Sequence, residues 1–302
     1  MKLTGVLFFP VTPFDAAGAV AADVLACHVE QGLEHGPGGV FAACGTGEFA
    51  TLDGDEVATV VQTAVKATAG RVPVIAGAGG SLPQAIAGVR RAADAGAEGI
   101  LLLPPYLVSG PPRGLLAYVE AVAAASPLPI IVYQRANARY DADTAVAVAR
   151  LERVVGFKDG LGDLDAMQRV VLAVRAAVGE DFQFFNGLPT AEMTVPAYRG
   201  IGVDLYSSAV FCFAPRISNA FYRSLYEGDG RLAGRLLADF YRPLVTLRDR
   251  VPGYAVALVK AAVRRNGLAV GSVRPPLVDP TPEHLDELDR IVAAGLRLVD
   301  AG

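Results

Sequence analysis

The chain has 302 residues, 52% of them apolar and 19% charged, with a formal net charge of −4. That composition supplies a large core, and mild acidity without a Lys/Arg run argues against a nucleic-acid or anionic-membrane partner. Three dispersed cysteines, Cys27, Cys44 and Cys212, with no Cys-x-x-Cys, exclude a disulfide framework and fit a reducing cytoplasm.

The N-terminus runs from Met1 to Gly5 straight into an apolar segment with no signal-peptide pattern. Gly and Pro interrupt the apolar stretches well before the ~20 residues of a membrane span, so a soluble cytoplasmic chain is expected. A first strand is predicted over 6–9. Pro10-Val11-Thr12-Pro13-Phe14 follows it and cannot open a helix over a pyrophosphate. Val20, Val24 and His28, with Leu25, Val29 and Leu33, form two rows at helical spacing. His28, His35 and His284 form no His-Glu-x-x-His or Cys/His cluster. No metal is therefore expected, and the first two histidines are assigned to a helix rim.

The second strand, 39–42, leads into Gly45-Thr46-Gly47-Glu48. Asp53 with Glu56 three residues on, and Ser81 with Gln84, are helix-opening patterns. Between them lies a third strand, 72–75. Gly77-Ala78-Gly79-Gly80 after it lacks Gly-x-Gly-x-x-Gly spacing and reads as close backbone packing. Further strands are predicted over 99–103, 129–133, 154–157, 182–185 and 203–206. From Pro215 the pattern is mainly helical, broken at Val251-Pro252-Gly253 and Arg274-Pro275-Pro276.

Most strand segments are continuously apolar, as strands covered on both faces must be. Eight strand–helix units of about 30 residues predict an α/β fold, a (β/α)8 TIM barrel with additional C-terminal helices. Residues 1–214 are assigned to the barrel core. Residues 215–302 are assigned to the closing helix and a helical extension of the same domain, since no linker separates them.

Active sites of such barrels lie at the C-terminal strand ends. Those ends carry Thr12, Thr46, Tyr106, Tyr133, Lys158, Asn186, Ser207 and Ser208, with several glycines. They offer no histidine and no carboxylate cluster, which excludes most metal hydrolases and paired-carboxylate glycosidases. Lys158 follows an apolar strand and precedes Asp159-Gly160. On a surface turn it would be an ordinary lysine. In a barrel mouth it loses hydration, its pKa falls, and it can form a Schiff base with a ketone. Tyr133 is the phenol suited to shuttle protons. Hydroxyls and backbone N–H groups can hold a carboxylate, so the expected substrate is a 2-keto acid.

Gly45-Thr46-Gly47-Glu48-Phe49-Ala50-Thr51-Leu52, Tyr133 and Gly156-Phe157-Lys158 resemble the dihydrodipicolinate synthase/N-acetylneuraminate lyase family over nearly the whole chain. The resemblance implies a lysine-dependent barrel acting on pyruvate or another 2-keto acid without a cofactor, commonly as a tetramer. Three departures stand out. The synthase's paired threonines are here Gly45-Thr46, its tyrosine lent to a neighbouring subunit is Leu107, and Ala138 falls near its carboxylate-binding arginine, flanked by Arg135 and Arg139. Condensation of pyruvate with aspartate semialdehyde is thereby disfavoured. Phe9-Pro10-Val11-Thr12-Pro13-Phe14, Tyr133-Gln134-Arg135-Ala136-Asn137, Phe157-Lys158-Asp159-Gly160, Asn186-Gly187-Leu188-Pro189 and Tyr206-Ser207-Ser208 are similar to the branch acting on 5-dehydro-4-deoxyglucarate. That branch removes water and carbon dioxide to leave 2,5-dioxopentanoate.

On this reading the partner is a small keto-diacid, and the chain is a homo-oligomer, tetramer or dimer. Lys158 and Tyr133 are the catalytic candidates. Gly45, Thr46 and Gly47 are candidates for the proximal carboxylate, Thr46 being otherwise a helix cap. Asn186, Ser207 and Ser208 are candidates for substrate hydroxyls or the distal carboxylate, and otherwise turn formers. Glu48 and Asp159 read as structural, Tyr106 as a mouth or packing residue, and Cys44 as a small buried apolar group. The alternatives are a 2-keto-3-deoxy sugar acid aldolase or a synthase-like enzyme of the same family. A barrel that only binds 2-keto acids is the alternative of another class.

Overall fold

In a computed structural model describing residues 1–105 and 108–301, eight short parallel strands close on themselves in chain order. The expectations for Tyr106 and Leu107 lie outside the described residues. The strands are β1 Leu7–Phe8, β2 Gly39–Ala42, β3 Val74–Ala78, β4 Gly99–Leu102, β5 Ile130–Gln134, β6 Val154–Asp159, β7 Gln183–Asn186 and β8 Leu205–Ser208. The (β/α)8 barrel is as expected, but several ends differ. β3, β5 and β6 run further than their apolar segments, and β8 lies two residues later than 203–206. Strand ends follow backbone pairing, which continues through polar residues: Tyr133 pairs with Lys158, and Gln134 with Asp159.

Successive strand residues face opposite sides. Leu7, Phe41, Ile75, Leu101, Ile131, Tyr133, Phe185 and Leu205 fill the barrel. Phe8, Val40, Ile100, Val132, Phe157 and Tyr206 face the surrounding helices. Both faces are therefore dry, which accounts for the continuous apolar runs. Lys158 follows outward Phe157 and so points inward.

The helices are α1 Ala22–Leu33, α2 Gly54–Thr68, α3 Leu82–Asp94, α4 Pro112–Ala125, α5 Ala142–Ala149, α6 Leu164–Val178, α7 Val195–Gly200 and α8 Pro215–Tyr226. Beyond them come α9 Arg231–Leu236, a π turn Leu237–Tyr241, α10 Arg242–Arg248, α11 Tyr254–Arg265 and α12 Pro282–Asp300. α2 starts where the sequence places it. The Asp53 carboxylate accepts from the Asp55 and Glu56 N–H groups, both at 2.9 Å, and Glu56 accepts from the Asp53 N–H at 3.1 Å. His28 is not on a rim. It lies on the buried face of α1, edge-on to Phe8 at 5.3 Å, and burial lowers its pKa to about 4, keeping the ring neutral. Among the described residues no helix is long and apolar enough to cross a membrane.

The barrel mouth depends on backbone contact between β3 and the turn after β2. A Cβ on Gly77 would lie 2.1 Å from the Ala43 carbonyl oxygen, and Ala43 itself holds a left-handed φ of 50°. Gly77→Ala should therefore destabilise the chain by roughly 1–3 kcal/mol. Urea unfolding reads this as a lowered midpoint. An unchanged midpoint would contradict the packing described.

Candidate active site

Lys158 ends the inward row of β6 and is 5% exposed. Its Nζ lies 4.4 Å from the centroid of Phe9 and 4.6 Å from that of Tyr133. Phe9 in turn stacks on Phe41 at 4.3 Å. The rings attract an ammonium, but they replace the water that would hydrate it. Burial is the main cause that lowers the Lys158 pKa to about 7, with the Arg135 charge adding to it. Cys44 does not counter this near neutrality, because burial pushes its own thiol up to about 12 and leaves it uncharged. A fraction of the amine is thus free at neutral pH, the form that attacks carbonyls.

Two glycines make room for this group. A Cβ on Gly187 would lie 2.6 Å from Lys158 Cε, and one on Gly160 would lie 2.8 Å from the Tyr133 hydroxyl. Tyr133, on β5, donates its phenol proton to the Gly187 carbonyl at 2.7 Å and accepts from Arg135 Nη1 at 2.9 Å. Burial raises the Tyr133 pKa, and the Arg135 charge opposes that rise. Arg135 is held over the phenol by a tight turn, its N–H meeting the Ala138 carbonyl at 3.2 Å and the reverse pair at 3.0 Å. Its guanidinium has no carboxylate within ion-pair distance among the described residues. It is a site residue that strand ends alone do not reveal, although an arginine two positions after Tyr133 is a visible signal in the sequence.

Gly45, Thr46 and Gly47 form the turn after β2. Thr46 does not cap a helix; Asp53 does. The N–H groups of these three residues meet no acceptor among the described residues. Gly47 is fixed from behind, its carbonyl accepting from Thr12 Oγ1 at 2.7 Å. A cluster of free N–H groups beside glycines is the kind of concavity that takes a carboxylate.

The other candidates divide by facing. Ser207 follows outward Tyr206, points inward and is half-buried, its Oγ only loosely held at 3.5 Å from the Asn186 carbonyl. Asn186 and Ser208, expected to meet substrate, turn outward, away from the row that carries Lys158. The Asn186 amide donates to the Ala191 carbonyl at 3.2 Å and to Thr194 Oγ1 at 2.8 Å, and its oxygen accepts from the Leu188 N–H at 3.1 Å. Ser208 Oγ donates to Glu192 at 2.6 Å and sits 3.0 Å from Ser218 Oγ. Both are fully buried and spend their polar atoms on neighbouring loops. Asp159 is likewise outward. It accepts from Gln134 Nε2 at 2.7 Å, from the Leu161 and Gly162 N–H groups at 3.1 and 3.3 Å, and from the Tyr198 hydroxyl.

A parallel barrel whose mouth carries a dry amine beside a phenol defines the class of (β/α)8 proteins equipped for carbonyl chemistry on a lysine. The dihydrodipicolinate synthetase family matches residues 2–295, and the chain belongs to it. It is 55% identical to the probable 5-dehydro-4-deoxyglucarate dehydratase 1 of Streptomyces coelicolor, over 99% of this chain and 95% of that one. It is 40% identical to the 5-dehydro-4-deoxyglucarate dehydratase of Pseudomonas putida, over 95% and 94%. The crystal structure of dihydrodipicolinate synthase from Oceanobacillus iheyensis superimposes with a TM-score of 0.88 at 25% identity, covering 97% of this chain and 96% of that one.

Burying Lys158 has a thermodynamic sign. Its pKa is about 7 in the folded chain against 10.5 for an ordinary lysine. The unfolded chain therefore binds the extra proton between those values, and wild-type stability rises with pH there. Lys158→Met should accordingly be more stable than wild type at pH 7. The gain is a few kcal/mol at most, since each tenfold loss of proton affinity costs about 1.4 kcal/mol before lost contacts are counted. Thermal melts at pH 7 and pH 10 test this. The gap should shrink at the higher pH, and a constant gap would mean that desolvation is not its cause.

Proposed function

We propose that this chain is a decarboxylating dehydratase that converts 5-dehydro-4-deoxyglucarate to 2,5-dioxopentanoate, water and carbon dioxide. The observation that carries the reading is Lys158, a dry amine between Phe9 and Tyr133 at the end of β6. The names of the dehydratases it resembles supply the substrate.

Lys158 attacks the ketone carbon beside one carboxylate, and the carbinolamine loses water to leave a protonated imine. Tyr133 carries protons for that addition and collapse. The imine draws electrons, so the adjacent methylene loses a proton and an enamine forms. The enamine expels the hydroxyl one carbon further on as water, leaving a conjugated imine. The carbon–carbon bond to the distal carboxylate then breaks. Carbon dioxide departs, and the electron pair moves through the conjugated system to the nitrogen. Reprotonation, tautomerisation of the terminal enol to an aldehyde, and hydrolysis release the product and the free amine. Each step shifts electron pairs within one adduct, so the sequence calls for no external oxidant or reductant.

Gly45, Thr46 and Gly47 present N–H groups to the proximal carboxylate. With Asn186 and Ser208 engaged elsewhere, Ser207 and Arg135 remain to meet the distal end. Cys27, Cys44 and Cys212 are all free thiols, in keeping with work in a reducing cytoplasm. Leu172 on α6 is 61% exposed, with Leu164 and Val178 also at the surface. Together with the family resemblance, exposed apolar side chains on this helix suit a homo-oligomer, dimer or tetramer.

Purified protein given 5-dehydro-4-deoxyglucarate should release carbon dioxide and 2,5-dioxopentanoate in equal amounts. Pyruvate release would identify an aldolase instead. Borohydride with pyruvate should add mass to the wild type and none to Lys158→Ala, and an unmodified wild type would favour a barrel that only binds. The acid limb of kcat/KM should lie near pH 7, because the attacking amine must be unprotonated and its pKa is about 7. A limb at the pKa of an exposed lysine would contradict that assignment.

A further inference from the structure

The helices beyond α8 are more than a barrel needs, and one of them reaches the mouth. Lys260, on α11, is completely buried, and its Nζ donates to Glu48 Oε1 at 2.7 Å. The other Glu48 oxygen accepts the Arg274 N–H at 2.9 Å. Glu48 directly follows the Gly45–Gly47 turn and holds a left-handed φ of 58°, a conformation that a non-glycine residue keeps only when its surroundings enforce it.

The contacts around this pair converge on the same turn. Phe14, just past the first strand, has its ring 3.9 Å from Lys260 Nζ and 4.0 Å from the Arg274 guanidinium. Its N–H donates to the Val270 carbonyl at 3.1 Å. A Cβ on Gly271 would lie 2.1 Å from the Phe14 carbonyl oxygen, so the two backbones touch. Thr12, two residues before Phe14, holds the Gly47 carbonyl. The turn that presents free N–H groups is therefore gripped at Gly47 by the β1 loop and at Glu48 by the C-terminal segment.

A buried ion pair is a poor way to add stability, since well-packed apolar residues of similar volume often do as well or better. Its strength is direction: a carboxylate with one oxygen on an ammonium and the other on a backbone N–H has a single seat. We propose that Lys260 and Glu48 are positioning residues that hold the Gly45, Thr46 and Gly47 N–H groups on the substrate's proximal carboxylate. The inference rests on the imine reading of Lys158. It assigns the C-terminal helices a part in substrate binding that they play without touching substrate.

The test is borohydride trapping of pyruvate, which has only the proximal carboxylate, on the full chain. The variant is the doubly neutral Glu48→Gln/Lys260→Met, because Lys260→Met alone would strand a buried carboxylate. Circular dichroism and a melt establish that it is folded. Pyruvate at saturation should label it as fully as wild type, with the same pH midpoint, but half-labelling should need about tenfold more pyruvate. Should the double variant not fold, Glu48→Gln alone, which turns one acceptor into a donor facing the Arg274 N–H, should show the same shift. Wild-type concentration dependence in a folded variant would overturn the proposal and leave the pair a packing device. No labelling of the wild type would instead overturn the imine reading, and the proposal with it.

Discussion

Everything at this barrel mouth follows from keeping water off one amine. An ammonium moved from water into a ring-lined pocket loses hydration that two aromatic faces only partly replace. Phe9, backed by Phe41, and Tyr133 flank Lys158 without offering it a carboxylate. A counter-charge there would hold the proton on and silence the nucleophile. Glycines complete the arrangement, because the lysine stem fills the space that a side chain at Gly187 would occupy.

The polar residues sort by facing, and facing decides their work. Lys158, Tyr133 and Ser207 belong to inward rows. Asp159, Asn186 and Ser208 belong to outward rows, where they tie loops to strands. Asp159 alone collects four donors from β5, α7 and its own loop. These outward groups fix the backbone from which the inward ones project, so their influence on the chemistry passes through geometry.

The barrel was legible because its signal is local and repeated eight times. Facing was not. A strand dry on both sides shows no alternation between apolar and polar residues, so hydropathy does not say which side a terminal serine or asparagine takes. Ser207 and Ser208 separate only once β8 is in register with β7, where Leu205 pairs with inward Phe185. The Glu48–Lys260 pair, 212 residues apart, had only one local trace: a lone lysine inside the apolar run Ala255-Val256-Ala257-Leu258-Val259-Lys260-Ala261-Ala262-Val263. Nothing near Lys260 in the chain indicates its partner, because the docking of the C-terminal segment on the loops after β1 and β2 creates the pocket they share.

Tyr133 shows how a shared scaffold can be given a different proton partner. Where the synthase resemblance implies a second threonine, Gly45 offers no hydroxyl, and the phenol is held by the Gly187 carbonyl and the Arg135 guanidinium. The carbonyl holds the phenolic proton, while the guanidinium stabilises the oxygen once that proton leaves. Among the described residues the phenol's hydrogen-bond partners are this carbonyl and this guanidinium, so the charge balance between them governs its proton. Such a phenol can give and retake one proton beside the imine proposed for Lys158. That suits a reaction in which one substrate loses two small fragments in place, since each departure needs a local proton and no second carbonyl compound has to be admitted.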